Sequence, residues 1–143
     1  MRFWDSSAIT PLILFEEETA YCTSAFRTDH QIMVWTMSKV EVLSALCRRH
    51  RENNLDLVEF EDAKKRMDDL FNITYEVTSI AQVKQRAMRL LHVHPLRAAD
   101  ALQLAAALVA TQEDPPKMAL ISFDHRLNEA AKKEGFIVNP DYQ

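Results

Sequence analysis

The chain is short of the residues that mark several protein classes. Its two cysteines, Cys22 and Cys47, lack metal-ligand spacing, so they read as small reduced core residues. The five histidines, at 30, 50, 92, 94 and 125, are scattered, and His92 with His94 is too bare a pair to count as a zinc site. Long apolar runs are missing as well: the longest, over residues 104–110, cannot cross a bilayer. The opening MRFWDSSAIT has no basic segment leading into an apolar one. It is therefore not read as a secretory signal, and the cytoplasm is the expected compartment. Positive charge is not in excess, and a formal net charge of −4 argues against a protein that coats nucleic acid through a generally basic surface. A nuclease stays open, because carboxylates gathered around a divalent ion make the bare protein more acidic than its loaded form. The single glycine, Gly135, is expected at a tight turn before the last strand. Internal repeats and low-complexity segments are absent from the sequence.

What is present suits an ordinary globular domain. Apolar residues make up 48% and charged residues 27%, enough for a real core, and a chain of 143 residues fits one compact domain, 1–143, better than two. Residues 2–4 read as a short strand, and Asp5, Ser6 and Ser7 follow as helix-capping types before an apolar stretch over 8–15. A second helical segment covers 16–27, and the β-branched, apolar 31–35 reads as a buried strand. A helix over 36–51 carries Val40, Leu43 and Cys47 on one stripe, and Asn53 with Asn54 breaks the pattern. The next helix, 55–70, offers Leu57, Phe60, Met67 and Leu70 to a core; 72–77 is strand-like and 79–92 an amphipathic helix. Pro95 suits the first position of the following helix, which puts Asp100 in that helix's second turn. Asp114, Pro115 and Pro116 end it. A strand over 118–123, a helix over 125–133 capped by Asp124, and a last strand over 136–138 complete the chain. Strands alternating with helices predict an α/β domain on a mainly parallel sheet, whose ligands collect outside the carboxyl ends of the strands.

Chemistry enters with the acids. The segment LRAADALQLAAAL over 96–108 holds one acidic residue, Asp100, among alanines and leucines. An ionised carboxylate there costs several kcal/mol to desolvate unless it is paired or bound to a cation. It reads either as an i, i+3 ion pair with Arg97 or as a side chain aimed into a metal pocket. Asp5 and Asp124 each follow a predicted strand and suit helix N-caps, and Glu41, three after Ser38, has the spacing of a capping box. Their joint placement says more, because right-handed crossovers bring all four to one edge of the sheet. Carboxylates about 4 Å apart repel by roughly 4 kcal/mol at an effective dielectric near 20. Protons or a hard cation must answer that, and oxygen-only donors select Mg2+ or Mn2+ over zinc. Such an ion supplies a water nucleophile for phosphodiester hydrolysis and screens the phosphate. Ser6, Ser7 and Ser122 are expected to orient ligands or waters, with cap chemistry the simpler role for Ser6.

At these residues the chain resembles the PIN domain, and within it the VapC-type ribonuclease toxins of bacterial and archaeal toxin–antitoxin pairs. Asp5 with Ser6 and Ser7 is similar to the family's opening motif, SKVEVLSAL over 38–46 to the helix carrying its Glu, RAADALQLAAAL to its most distinctive segment and SFDHRLNEAAKKEGF to its closing one. The resemblance covers nearly the whole chain. It implies a three-layer α/β/α fold with a central, mainly parallel sheet, and a magnesium-dependent endoribonuclease with manganese as a possible substitute. Asp5 and Asp100 would be direct metal ligands, with Glu41 and Asp124 completing the catalytic site. It further implies a homodimer held by a small VapB-like, DNA-binding antitoxin whose tail blocks the site. His94 and Pro95 stand where glycine is common in the family, and Ser122 where many members have threonine.

The remaining signals carry bland readings beside functional ones. The run Arg48, Arg49, His50 and Arg51 either tracks an RNA backbone or closes a helix in accord with its dipole. Trp4 and Trp35 read as core and not as base-stacking platforms, and His125 as an exposed helix start. Leu12, Leu14 and Phe15 read as core packing before a partner or dimer face. The alternative functions are a non-enzymatic PIN-like interaction module and a PIN-type nuclease acting on DNA; no long basic segment or arch-like insertion supports the latter.

Overall fold

The computed structural model describes residues 1–140. Five short strands, β1 (Arg2–Trp4), β2 (Ile32–Trp35), β3 (Tyr75–Val77), β4 (Leu120–Ile121) and β5 (Val138–Asn139), form one sheet in the order β3-β2-β1-β4-β5, and every neighbouring pair is parallel. Seven helices connect and cover them: α1 (Ser6–Ile13), α2 (Thr19–Thr28), α3 (Ser38–Arg51), α4 (Leu57–Phe71), α5 (Ile80–Val93), α6 (Ala98–Ala110) and α7 (His125–Lys133). Side chains alternate across each strand. Phe3 and Leu120 therefore join one core with α5, α6 and α7, while Trp4, Ile32, Val34 and Ile121 join another with α1 to α4. This is the three-layer α/β fold with a parallel central sheet, and both tryptophans are buried in it.

The strand order reverses at β1, whose neighbours are β2 and β4. A crevice opens at such a switch point beyond the carboxyl ends of the strands. Asp5 follows β1 directly and continues its ladder, its N–H donating to the Ile121 carbonyl at 3.0 Å. The single glycine does what its position suggests. Gly135, at φ 101°, lies just past α7, where the Gly135 and Phe136 N–H groups donate to the carbonyls of Lys132 and Ala131, each at 3.0 Å. That pair of bonds closes the helix in a left-handed turn that a Cβ would strain.

Several sequence expectations shift. The helix 36–51 starts at Ser38, with Met37 as an N-cap that makes no side-chain bond, so Ser38 and Glu41 form no capping box. Its buried residues are Ser38, Val42 and Leu46, while Val40 is 63% exposed. Ala63, Met67 and Phe71 form the buried face of α4, and Leu57 is exposed. Pro95 does not open α6. The helix begins at Ala98 after an extended Arg97, and His94 Nε2 is pinned to Glu134 Oε1 at 2.9 Å, which places Asp100 in the first turn. The last strand begins at Val138, Phe136 being core. Cys22 is buried and Cys47 half-buried, both free thiols. Leu14 is buried as expected, but Phe15 is 93% exposed because α1 has already ended. Among the described residues, no helix is long and apolar enough to cross a membrane.

Candidate active site

The site is assembled at the carboxyl edge of the sheet from four helix starts. Asp5 precedes α1, Glu41 lies in the first turn of α3, Asp100 in the first turn of α6, and Asp124 precedes α7. Asp5 is 4% exposed. Its Oδ2 accepts from the Ser7 N–H at 3.3 Å, from Ser7 Oγ at 2.6 Å and from Ser122 Oγ at 3.1 Å. Each serine hydroxyl carries one proton and spends it on Asp5, so the two hydroxyls, 3.4 Å apart, serve as acceptors elsewhere. Ser7 Oγ accepts the Phe123 N–H and Ser122 Oγ the Asp124 N–H, both at 3.0 Å. The first and last motifs are thereby tied together, and Oδ1 of Asp5 accepts none of these bonds.

Glu41 is held at both oxygens. Ser6 Oγ donates to Oε2 at 2.8 Å and Gln103 Nε2 to Oε1 at 3.2 Å. Ser6 thus serves the acid and not a cap. Asp5 and Asp124 do cap their helices as well, Asp124 Oδ1 accepting the Leu127 N–H at 2.8 Å; a carboxylate at a helix N-terminus can hold the first turn with one oxygen and keep the other free.

Electrostatics links the four acids. Burial pushes the Asp5 carboxyl above its ordinary range, against the opposing bonds from Ser7 and Ser122. Burial also raises Glu41, opposed by the Ser6 bond, with further upward pressure from Asp5 and Asp100. Asp100 is raised to about 6, first by burial, then by Asp124 and by Asp5, and Arg97 opposes this only as a smaller effect. Repulsion from the other acids outweighs the Arg97 attraction, so Asp100 is not explained by an ion pair with Arg97.

Clefts that contain arginines flank the cluster on two sides, the first of them also lined by Glu16 and Glu18. On the Glu41 side a cleft of about 390 Å3 is lined by Ser6, Ser7, Thr10, Arg48 and Phe123 among others, and Arg49 beside it is ion-paired to Glu16. On the other side a cleft of about 480 Å3 is lined by Arg97, Ala99, Asp100, Asp124, His125 and Arg126. His125 is an exposed helix start, as expected. The sequence reading passed over Gln103 and Phe123. The same argument that singled out Asp100, a polar side chain in an apolar helix, points equally to Gln103; nothing in the sequence marks Phe123.

The donor set suits a hard divalent cation. All four acids offer oxygen, three of them carry raised pKa values that a positive charge would relieve, and the histidine that shares a cleft with Asp100 and Asp124, His125, is an exposed helix start. Among the described residues, no three acidic, His or Cys side chains are gathered closely enough to form a closed metal-ligand cluster. Magnesium does not require one, since it keeps several waters and takes one or two carboxylates directly.

The serine bridge has a measurable consequence. Ser7→Ala removes the shortest donor to Asp5 and leaves the Phe123 N–H without its acceptor, and it is expected to lower the unfolding free energy by about 1–3 kcal/mol. A urea titration reads this, and a change below about 0.5 kcal/mol, typical of surface positions, would show that the bridge does not hold the two motifs together.

Residues 2–133 match the family model described as PIN domain. Ribonuclease VapC45 and ribonuclease VapC49, both from Mycobacterium tuberculosis, are each 29% identical to the chain over 138 residues, covering 96% of it and 94% of each relative. Among solved structures, FitAcB from Neisseria gonorrhoeae is similar with a TM-score of 0.67 at 12% identity, covering 96% of both chains. FitAB bound to an IR36 DNA fragment is similar with a TM-score of 0.62 at 15% identity, covering 96% of this chain and 93% of that one. At these identities the structural likeness speaks to the fold.

Proposed function

The chain belongs to the PIN domain family, and from that premise we propose that it is a divalent-cation-dependent endoribonuclease, the toxin of a toxin–antitoxin pair. One observation carries the reading: four acids from four separate elements lie at the carboxyl edge of the sheet, where, beyond the effect of burial, Asp124 and Asp5 raise Asp100 and Asp5 and Asp100 raise Glu41. Mutual repulsion of this kind costs stability and is hard to account for as architecture. The names of the relatives, ribonucleases over nearly their whole length, support RNA as the substrate.

The residues divide the work by position. Asp5 and Asp100 would be the direct ligands of the cation, magnesium or manganese, and Glu41 and Asp124 would complete the acidic set. When bound, the cation supplies charge stabilisation at the phosphoryl group and makes water a competent nucleophile near neutral pH. Ser7 and Ser122 fix the Asp5 carboxylate, and Ser6 fixes Glu41. Arg48 on one side, and Arg97 and Arg126 on the other, line the clefts flanking the acids and attract the phosphates to either side of the bond being cut. The chain acts as a homodimer, and a small antitoxin covers the acids until it is removed.

The test is cleavage by a purified sample stripped of any bound antitoxin by unfolding and refolding. We expect internal cuts in RNA with magnesium or manganese, none in chelator, and none in single-stranded DNA of the same sequence. A monodisperse sample that leaves RNA intact with either metal, or that cuts equally well in chelator, would overturn the proposal. Preferential cutting of DNA would reassign the substrate. Sedimentation at twice the monomer mass checks the dimer.

A further inference from the structure

We propose that Gln103 is a positioning residue for Glu41, holding the acid of one layer from the helix that carries Asp100 in the other; the inference rests on the cation-dependent site described above. Gln103 is 1% exposed in the middle of the apolar α6. Its Nε2 donates both protons across the carboxyl edge of the sheet, to Ser38 Oγ at 2.9 Å and to Glu41 Oε1 at 3.2 Å. Ser38 and Glu41 are three apart on α3, and Asp100 and Gln103 three apart on α6, so each pair shares a helix face. The two bonds therefore join the two helices at the point where their acids face the site. With Ser6 Oγ on Oε2, the Glu41 carboxylate is fixed at both oxygens from two other elements.

The chemistry of the amide suits this role. A lysine or arginine at 103 would neutralise Glu41, whereas an amide N–H orients the carboxylate and leaves its negative charge for a cation. The amide's own orientation is also set by the acid: turned over, Gln103 Oε1 would face Glu41 Oε1, acceptor against acceptor. Gln103 Oε1 is buried without a hydrogen-bond partner, a penalty that an apolar side chain of similar size would avoid. A polar residue kept where an apolar one would pack better is expected when it serves the site and not the core.

A double-mutant cycle between Gln103→Met and Glu41→Gln tests this. Gln103→Met is expected to melt within a few degrees of the wild type, because relief of the unpartnered Oε1 is offset by the buried Ser38 Oγ left without its donor, to lower kcat for RNA cleavage by about 10–100-fold with KM little changed, and to weaken manganese binding, read by calorimetry, by about 10-fold. In the Glu41→Gln background the same change is expected to add little to either loss. Gln103→His, which retains an uncharged N–H, is expected to recover most of the rate. Wild-type rate and affinity in Gln103→Met, losses that add in full to those of Glu41→Gln, or failure of Gln103→Met to fold would each overturn the inference. If the wild type binds manganese but cuts no RNA, the ribonuclease reading falls alone, and the cycle is decided by affinity. If it neither binds nor cuts, both fall.

Discussion

Asp100→Asn and Asp5→Asn should each leave a folded protein with RNA cleavage lowered by at least about a hundredfold. Loss of the partners that merely orient a ligand usually costs 10–100-fold, and removing a ligand's charge should cost no less. Neither change threatens the fold. Asp5 caps α1 by accepting the Ser7 N–H, and asparagine caps a helix about as well. Asp100 accepts the Arg97 backbone N–H at the start of α6, a bond that an asparagine amide oxygen can also accept. Both carboxyls are raised by burial, so the neutral amide relieves a desolvation penalty. The expected signature is therefore an inactive variant that melts at or above the wild type, as residues that serve function at a cost in stability do. Activity within a few-fold of wild type in either variant would remove the acid cluster from the mechanism. Melting well below wild type would show that the acids are there to hold the fold.

The second large effect concerns pH. Burial and the neighbouring acids push Asp100 up to about 6 in the folded chain from an ordinary value of 3.8, and Asp5 and Glu41 are displaced in the same direction. Between those two values the folded state binds more protons than the unfolded one, so the stability of the metal-free chain falls as pH rises through that window. In chelator the protein should melt at a lower temperature at pH 7 than at pH 5. Asp100→Asn isolates the contribution of this one group: its melting temperature should gain on the wild type as pH rises through about 6. A cation needs the ionised acids and competes with their protons. The rise in melting temperature produced by magnesium should accordingly be larger at pH 7 than at pH 5, and the affinity should weaken as pH falls through about 6. A cation effect independent of pH, or a gap between wild type and Asp100→Asn that stays constant, would contradict the coupling.

Much of the placement of these acids is legible in the sequence, and the places where the sequence misleads share a cause. Asp5 stands immediately after β1 and Asp124 three residues beyond the end of β4, at the start of α7, and in both places local pattern and sheet topology agree. The pairing of Ser38 with Glu41 failed because S-x-x-E spacing names a capping box only if the helix starts on the serine; here Met37 precedes it as N-cap. Ser38 is buried against Gln103, and Glu41 turns to Ser6 and Gln103. Pro95 misled similarly: it is compatible with a helix start, but the chain stays extended through Arg97 and α6 begins at Ala98, with His94 upstream bonded to Glu134. In both cases a local signal is compatible with a helix start without fixing the residue at which the helix begins.

Strand and helix order, the membership of the two cores in outline, and the identity of the four acids follow from residue chemistry and spacing, because those are properties of neighbouring positions along the chain. Which oxygen of Asp5 the two serines hold, why burial, Asp124 and Asp5 outweigh Arg97 at Asp100, and how Gln103 reaches Glu41 follow only from packing. Such facts depend on distances between residues far apart in sequence, and those distances are fixed when two helical layers close over one sheet edge.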